Sequence, residues 1–275
     1  MRNIFICPVC KRELEDCVSL YRCSHNHCFD KSKYGYVNLL QSQKSNEKRH
    51  GDDRLMIRAR RDFLSQGHYS FLCEELSLIC FELLNDGALI LDAGCGECYY
   101  SAGIKNYSQS NGKTFDFAGV DISKDALEFA SKRKSGVVTA VASLFDLPLQ
   151  NESCNALLNV FSPEADDEFR RVIKNGGYLI RVIPLEKHLF ELKEMIYDKP
   201  YLNTVASPEL DGFTLINEIK LCRILELTSA LDIENLFKMT PYYYKTGRTD
   251  QEKLAQINYL KTRAEFGIRI YRKDD

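Results

Sequence analysis

The 275-residue sequence predicts an α/β protein, a mostly parallel sheet covered on both faces, preceded by a small Cys/His-rich module. Three observations lead there. From about residue 54 onward, short apolar runs alternate with amphipathic stretches, the pattern of strand–helix–strand units. Five of the eleven cysteines fall within the first 28 residues, a density that suits a metal site. One apolar run, ALILDAGCG over 88–96, enters a glycine turn, which lets a ligand approach the backbone at a helix N-terminus.

Composition narrows the class. With 44% hydrophobic and 28% charged residues, the chain has the makeup of a globular protein with one large core and a small appendage. No stretch approaches the roughly 18 uncharged apolar residues of a membrane helix, so no membrane association is expected. The N-terminal MRNIFICPVC has no apolar run leading to a small-residue cleavage site, so a cytoplasmic location is expected. An odd cysteine count with one dense cluster favours metal over disulfides. The net charge of −2 hides a split. Residues 1–70 hold 13 Lys/Arg against 8 Asp/Glu, and the remainder 24 against 31, a mildly basic front on an acidic body.

The elements follow in order. Residues 1–35 are too few to form a core alone and read as a zinc-binding, RNA-recognising module. Residues 36–60 read as linker and connecting helix, with the polar LQSQKSNEKRHGDD over 40–53 as a mobile loop. The main domain is expected over 61–275. LMIRARRDFLSQG is helix-like and ended by Gly67, and HYSFLCEELSLICFELL has helical apolar spacing. Strands are expected in ALILDAGCG, TFDFAGVDIS, VVTAVAS, CNALLNVFS and GGYLIRVIP. Ser123 is placed to cap the helix KDALEFASKRK. Near the end, MTPYYYKTG and EFGIRIYRK read as strands flanking a polar helix-like segment.

The first chemical constellation is Cys7-Pro8-Val9-Cys10, a turn that presents two thiolates to one metal. A second knuckle must supply the other pair, and Cys23, His25, His27 and Cys28 compete for it. Spacing alone leaves the fourth position open between Cys28 and His27, and Cys17 falls in the loop between knuckles. A site filled by protein ligands has no position for water, so the metal is expected to be structural.

The second constellation is Asp92-Ala93-Gly94-Cys95-Gly96-Glu97-Cys98. Asp121 ends the next strand, where a carboxylate can take ribose hydroxyls. Ser143 and Leu144 end the third, where an adenine can lie. Asn159, Val160 and Phe161 end the fourth, beside the reacting end. A nicotinamide dehydrogenase needs Gly-x-Gly-x-x-Gly, and no third glycine follows here. Cys95 and Cys98 form a Cys-x-x-Cys pair, but no further metal ligands flank them. The order across roughly 85–185 resembles the class I S-adenosylmethionine-dependent methyltransferases, with their Rossmann-like, mostly parallel seven-stranded sheet.

The whole chain resembles the bacterial 23S ribosomal RNA (guanine-N1)-methyltransferases, a family joining an N-terminal zinc module to a methyltransferase domain. The resemblance is carried by Cys7-Pro8-x-Cys10, Lys33-x-Gly35-Tyr36-Val37-Asn38-Leu39-Leu40 and Ala59-Arg60-Arg61-x-Phe63-Leu64-x-x-Gly67-His68-Tyr69. It continues through Asp92-x-Gly94-Cys95-Gly96-Glu97, His188-Leu189-x-Glu191-Leu192-Lys193, Gly212-Phe213-Thr214 and Met239-Thr240-Pro241. It implies zinc ligation by Cys7, Cys10, Cys23 and His27. It also implies S-adenosylmethionine contacts at Tyr69, Gly96, Glu97 and His188. Asp92, Gly94, Asp121, Ser143 and Leu144 follow from the general methyltransferase plan. A homodimer is implied as well. The chain departs at Cys98, where glycine is usual, and a positive φ there would cost roughly 1 kcal/mol. It departs again at Asp146, to which no role attaches.

The resemblance implies methyl transfer to N1 of a guanine in a 23S rRNA hairpin. The methylsulfonium is already electrophilic, so positioning should dominate, but the N1 proton must be removed. Asn159 could orient the base edge, Glu97 or His188 could take the proton, and Phe161 could stack on an unstacked guanine. His188 fits cofactor positioning better than proton transfer. RNA contacts are expected from Lys31 and Lys33 and from a basic helix carrying Arg54, Arg58, Arg60 and Arg61, unless those arginines are spent on intramolecular pairs. Two other readings compete. One is a methyltransferase of small molecules with the zinc module as a lid, and the other a non-catalytic zinc-dependent RNA-binding protein on a degenerate methyltransferase sheet.

Overall fold

The computed structural model describes residues 4–41, 53–247, 254 and 256–275. The N-terminal module is a three-stranded antiparallel sheet of β1 (Leu14–Asp16), β2 (Leu20–Cys23) and β3 (Cys28–Asp30). Two knuckles precede and interrupt it, each turning through a left-handed residue, Lys11 in one and Asn26 in the other. Asn tolerates that conformation through its short polar side chain.

The large sheet is built from β4 (Val37–Asn38), β5 (Leu89–Ala93), β6 (Asp116–Asp121), β7 (Val138–Val141), β8 (Cys154–Val160), β9 (Ile173–Pro184), β10 (Phe213–Leu227) and β11 (Leu260–Lys273). Its order is β10-β11-β9-β8-β5-β6-β7-β4. The strands from β9 to β4 run parallel, and β11 and β10 add antiparallel pairs at the far edge. The order reverses direction between β5 and β8, which opens a crevice at their carboxyl ends.

The helices are α1 (Arg54–Ser65), α2 (Ser70–Leu83), α3 (Tyr99–Ser110), α4 (Lys124–Lys132), α5 (Asp166–Val172), α6 (Phe190–Ile196), α7 (Ala230–Lys238) and α8 (Tyr242–Lys245). Side-chain alternation along the strands sorts the core into two layers. Ile90, Leu158, Ile180 and Phe266 bury against α2, α3, α6 and α7 residues such as Leu72, Ile104, Leu192 and Leu236. Leu89, Leu91, Leu157 and Leu179 bury on the other face, against Phe169 and Val172 of α5. The small module shares that second layer, with Phe5, Leu14, Tyr21 and Cys23 in the same cluster as Leu144, Leu147 and Leu149. It therefore needs no core of its own. The backbone N–H of Ile6 donates to Pro148 O at 2.9 Å, and Lys11 pairs with Asp146 at 2.8 Å. Asp146, without a role in the sequence, is a docking residue.

The structure departs from the sequence reading in several places. The sheet has eight strands among the described residues, not seven. The eighth is β4, which pairs with β7 inside the stretch expected to be linker. The boundary expected at 60/61 falls inside α1, whose Phe63 and Leu64 join the main core. The segment MTPYYYKTG is a turn followed by α8, because Pro241, at φ −64°, is pre-set for a helix start. The sequence reading did not find β10, a 15-residue edge strand exposed over most of its length, where burial imposes no clean alternation. The cap of α4 stands as expected, with Ser123 Oγ accepting the N–H of Ala126. The polar loop expected over 40–53 lies mostly outside the described residues. Among the described residues, no helix is long and apolar enough to cross a membrane.

Phe266, on β11, is fully buried and its ring lies within 5.1 Å of the rings of Tyr69, His188 and Phe161. Replacing it by Ala leaves a cavity directly beneath the crevice. Phe266→Ala should lower the unfolding free energy by about 3–5 kcal/mol in urea titration. A loss under about 1 kcal/mol would contradict this placement.

Candidate methyl-transfer cleft and metal centre

The crevice at the strand ends is a cleft of about 680 Å³, inside the range of about 300–1,000 Å³ that small-molecule sites occupy. Tyr69, Asp92, Gly94, Gly96, Glu97, Asp121, Ser143, Leu144, Asn159, Phe161 and His188 all line it. The structure thus brings every proposed cofactor and catalytic residue into one cavity.

Its floor is the turn after β5. Gly94 has φ +82°, and a Cβ there would meet Ser162 Cβ at 2.4 Å, so only glycine fits. Gly96 has φ +52° and nothing within 4 Å of a built Cβ, so its bare backbone faces open space. Gly94 thus packs on Ser162, and Gly96 leaves the turn open where it lines the cleft. Asp121 accepts the N–H of Gly96 and of Ser123, each at 2.8 Å, and these bonds aim its carboxylate. Tyr69 buries its hydroxyl with no hydrogen-bond partner among the described residues. An orphaned donor in a cleft wall marks where a polar ligand belongs.

Several side chains are occupied. Asp92 accepts a hydrogen bond from the Ser101 hydroxyl, and burial pushes its carboxyl up to about 7. Glu97 is clasped by Arg133 through two bonds, Nη2–Oε1 at 2.6 Å and Nε–Oε2 at 3.2 Å. Burial raises the Glu97 pKa and Arg133 opposes it. Burial pushes His188 down to about 3, so its ring is neutral. His188 Nδ1 accepts the Glu265 backbone N–H at 3.2 Å, which assigns the ring proton to Nε2. His188 is therefore a donor to the cleft, and the proton-acceptor role entertained from the sequence is withdrawn. Asn159 Nδ2 donates to Ser162 Oγ at 2.6 Å and to Pro163 O at 3.1 Å, shaping the loop after β8. Phe161 is exposed with φ +54°, a strained conformation for a bulky residue.

The sequence reading missed part of the wall. Met56, Ile57 and Leu64 of α1, Phe145, Ser162, Glu164 and the turn Met239–Tyr242 also line the cleft. Only the resemblance at Met239-Thr240-Pro241 offered a signal for that turn. Of the cationic candidates, Arg60 lines the cleft, and Arg58 and Lys33 are exposed. Lys31 pairs with Asp16, Arg61 with Asp62 at 2.5 Å, and Arg54 with Asp125 at 3.1 Å. For these three the intramolecular alternative describes the isolated chain.

In the small module, one ligand atom from each of Cys7, Cys10, Cys23 and His27 lies within 4.8 Å of the others. Cys10 and Cys23 sulfurs are 3.6 Å apart, and His27 Nδ1 is 3.5 Å from Cys7 Sγ and 3.3 Å from Cys23 Sγ. A zinc tetrahedron with bonds near 2.3 Å to sulfur and 2.0–2.1 Å to nitrogen has edges of roughly 3.5–3.8 Å. The cluster fits zinc closely. Burial raises the Cys23 pKa, but hydrogen bonds from the His27 and His25 backbones outweigh it and bring it to about 6. Cys28 and His25, the competing candidates, are exposed and outside the cluster.

Fold, cleft and cluster together define a class I S-adenosylmethionine-dependent methyltransferase with an N-terminal zinc ribbon. Residues 5–48 match the family model described as RlmA, N-terminal, and residues 84–215 match a methyltransferase domain. The Bacillus subtilis (strain 168) protein named "Putative 23S rRNA (guanine-N(1)-)-methyltransferase YxjB" is 30% identical over 281 aligned positions, gaps included, that cover 98% of this chain and 96% of that one. The 23S rRNA (guanine(748)-N(1))-methyltransferase of Streptomyces fradiae is 32% identical over 194 residues, 69% of this chain and 66% of that one. The chain belongs to the family of the 23S rRNA (guanine-N(1)-)-methyltransferases.

Asp92 provides a pH test. Its folded-state pKa, about 7, lies above its ordinary 3.8, so the native state holds a proton that the unfolded state releases. That contribution is complete below about pH 4 and is lost as pH rises through 7. Unfolding free energies at pH 5 and pH 8 should differ between wild type and Asp92→Asn, with wild type losing on the order of 2–4 kcal/mol more at pH 8. Parallel pH profiles for the two proteins would refute the assignment.

Proposed function

We propose that the protein transfers a methyl group from S-adenosylmethionine to N1 of a guanine in a 23S rRNA hairpin, in the cytoplasm. The supporting observation is one chain in which an open methyltransferase cleft and a four-ligand ribbon follow each other, matched end to end by a relative of that name. When bound, S-adenosylmethionine supplies an electrophilic methyl group.

The residues then act as a cradle. The Asp121 carboxylate, aimed by two backbone N–H groups, accepts from ribose hydroxyls. The bare backbone at Gly96 admits the donor closely, Gly94 lets Ser162 close the floor beside it, Ser143 and Leu144 flank the adenine, and the Tyr69 hydroxyl and His188 Nε2–H provide donors. Asp92 and Glu97 hold the turn through Ser101 and Arg133. Asn159 fixes the loop that carries Phe161, whose exposed ring offers a stacking face to an extruded guanine. Catalysis in this arrangement is mainly orientation.

Cys7, Cys10, Cys23 and His27 hold zinc, which joins the two knuckles and is structural because protein fills all four positions. Lys33 on the ribbon and Arg58 and Arg60 on α1 make RNA backbone contacts, with Lys31 and Arg61 available by exchanging their carboxylate partners for phosphate. Two copies pair through the exposed edge of β10, whose outer side takes no strand among the described residues and is a template for a second strand.

Nucleoside mass spectrometry of 23S rRNA from cells with and without the protein should show 1-methylguanosine at one position only when the protein is present. An unchanged pattern would sink the assignment. Asp121→Ala should weaken S-adenosylmethionine binding about 10- to 100-fold by calorimetry, at about 1–3 kcal/mol for lost charge-assisted hydrogen bonds. Metal analysis should find about one zinc per chain, lost in Cys10→Ser and kept in Cys28→Ser. Zinc retention by the Cys10 variant would overturn the ligand set.

A further inference from the structure

The reaction needs an acceptor for the N1 proton, and the cleft wall holds four carboxylates to consider. Three are engaged by the fold. Asp92 faces Ser101, Glu97 is clasped by Arg133, and Asp121 takes two backbone N–H groups. The fourth, Glu164, is placed differently. It sits at the mouth of the cleft, three residues beyond Phe161, with its side chain 48% exposed. Its ion-pair partner among the described residues is Arg181, whose Nη1 is 3.6 Å from Oε1. Arg181 is almost wholly buried on β9, is anchored by Asp166, and keeps its Nε buried without a partner among the described residues. A buried guanidinium thus stands beside one oxygen of a carboxylate that itself lines the cleft.

Position along the sheet agrees. Asp121, Ser143 and Leu144 lie at the ends of β6 and β7, so a nucleoside held there extends toward the ends of β8 and β9. Glu164 and the Phe161 ring stand at that second end, one offering a carboxylate and the other a stacking surface. The Watson–Crick edge of guanine presents N1–H and an amino N–H side by side, and a carboxylate presents two acceptors at matching spacing. Adenine presents an N1 lone pair at the same place, which a carboxylate repels.

We propose that Glu164 is a catalytic residue that reads the guanine edge and accepts the N1 proton, with Arg181 as its positioning residue. The inference rests on the guanine-N1 reading above. In the step, the N1–H bond breaks and its proton passes to a Glu164 oxygen, leaving the electron pair on N1. That pair forms the N1–C bond as the C–S bond of the methylsulfonium breaks, and the bonding electrons stay on sulfur. Glu164, at the open mouth, then returns the proton to solvent.

The test uses the full zinc-containing chain, S-adenosylmethionine, and 23S rRNA from cells lacking the protein, with 1-methylguanosine measured by mass spectrometry. Glu164→Gln should slow single-turnover methylation about 10²- to 10⁴-fold, with cofactor and RNA dissociation constants within about threefold of wild type. Glu164→Asp should retain more activity than the Gln variant. The residual Gln rate should climb about tenfold per pH unit as hydroxide takes over the proton, while the wild-type rate levels off. Wild-type activity with a Gln variant within threefold of it, or a Gln variant that no longer binds S-adenosylmethionine, would overturn the role of Glu164 and leave the guanine-N1 reading standing. Wild-type methylation at an atom other than guanine N1 would remove that reading, and the inference with it.

Discussion

Where the sheet reverses direction, the loop after β8 packs directly on the turn after β5. Ser162 Oγ donates to the carbonyl of Ala93 at 2.6 Å and accepts from Asn159 Nδ2 at the same distance. The approach is possible because Gly94 has no Cβ to meet Ser162. On its other side the turn is held by β6, with the N–H groups of Gly94 and Cys95 both donating to Val120 O. One turn is therefore pinned between two strand ends, and the open cleft is what remains beside it. Any side chain at position 94 would push the β8 loop outward and carry Phe161 and Glu164 with it. The cleft's shape rests on this contact more than on any residue that lines it.

The metal ribbon acts on the same cleft through a shared core. Its apolar residues bury against Leu144, Leu147 and Leu149, which belong to the segment running out of β7. Ile6 and Lys11 fasten to Pro148 and Asp146 of that segment. Ser143 and Leu144 at its start line the cleft. Loss of zinc would therefore remove packing from beneath the cleft wall as well as unfold the ribbon.

Much of this was legible in advance, for identifiable reasons. Buried parallel strands read as continuous apolar runs, so β5, β6, β7, β8 and β9 declared themselves. Glycines with positive φ and a Cys-x-x-Cys knuckle are local signals, which is why Gly94, Gly96, Cys7 and Cys10 were found directly. The fourth metal ligand was not a local matter. His27 turns inward and Cys28 outward through the left-handed Asn26, a choice that spacing does not encode. Glu164 carries no motif, and its significance depends on Arg181, which approaches from the neighbouring strand. The strand β4 is two residues long and is stabilised by its pairing with β7, a contact beyond the reach of periodicity. The run at 239–247 misled because its aromatic residues favour strands, whereas Pro241 and the hydrogen bond from Thr240 Oγ1 to Phe237 O decide for a turn and helix.

Three of the left-handed residues that are not glycine stand at the cleft, and energetics makes them intelligible. Cys98, Phe161 and Leu189 are left-handed without being glycine, and each lies next to or within the cleft wall. At Cys98 the strain of roughly 1–2 kcal/mol is set against complete burial of the side chain among Leu127, Ala130 and Val141. Burying its methylene and thiol contributes about 1 kcal/mol or somewhat more, so the departure from glycine is close to neutral. Leu189 is likewise fully buried, in the core beneath the cleft. Phe161 is offset only in part, because the residue is 45% exposed although its ring packs 5.1 Å from that of Phe266. Its strain is borne by the surrounding hydrogen bonds, from Phe161 N to Val182 O and from Asn159 into the loop. Its ring lines the cleft and packs against Phe266, so only part of its apolar surface is buried in the isolated chain. In the proposed reaction, a planar base stacking on that ring would supply the rest of the compensation.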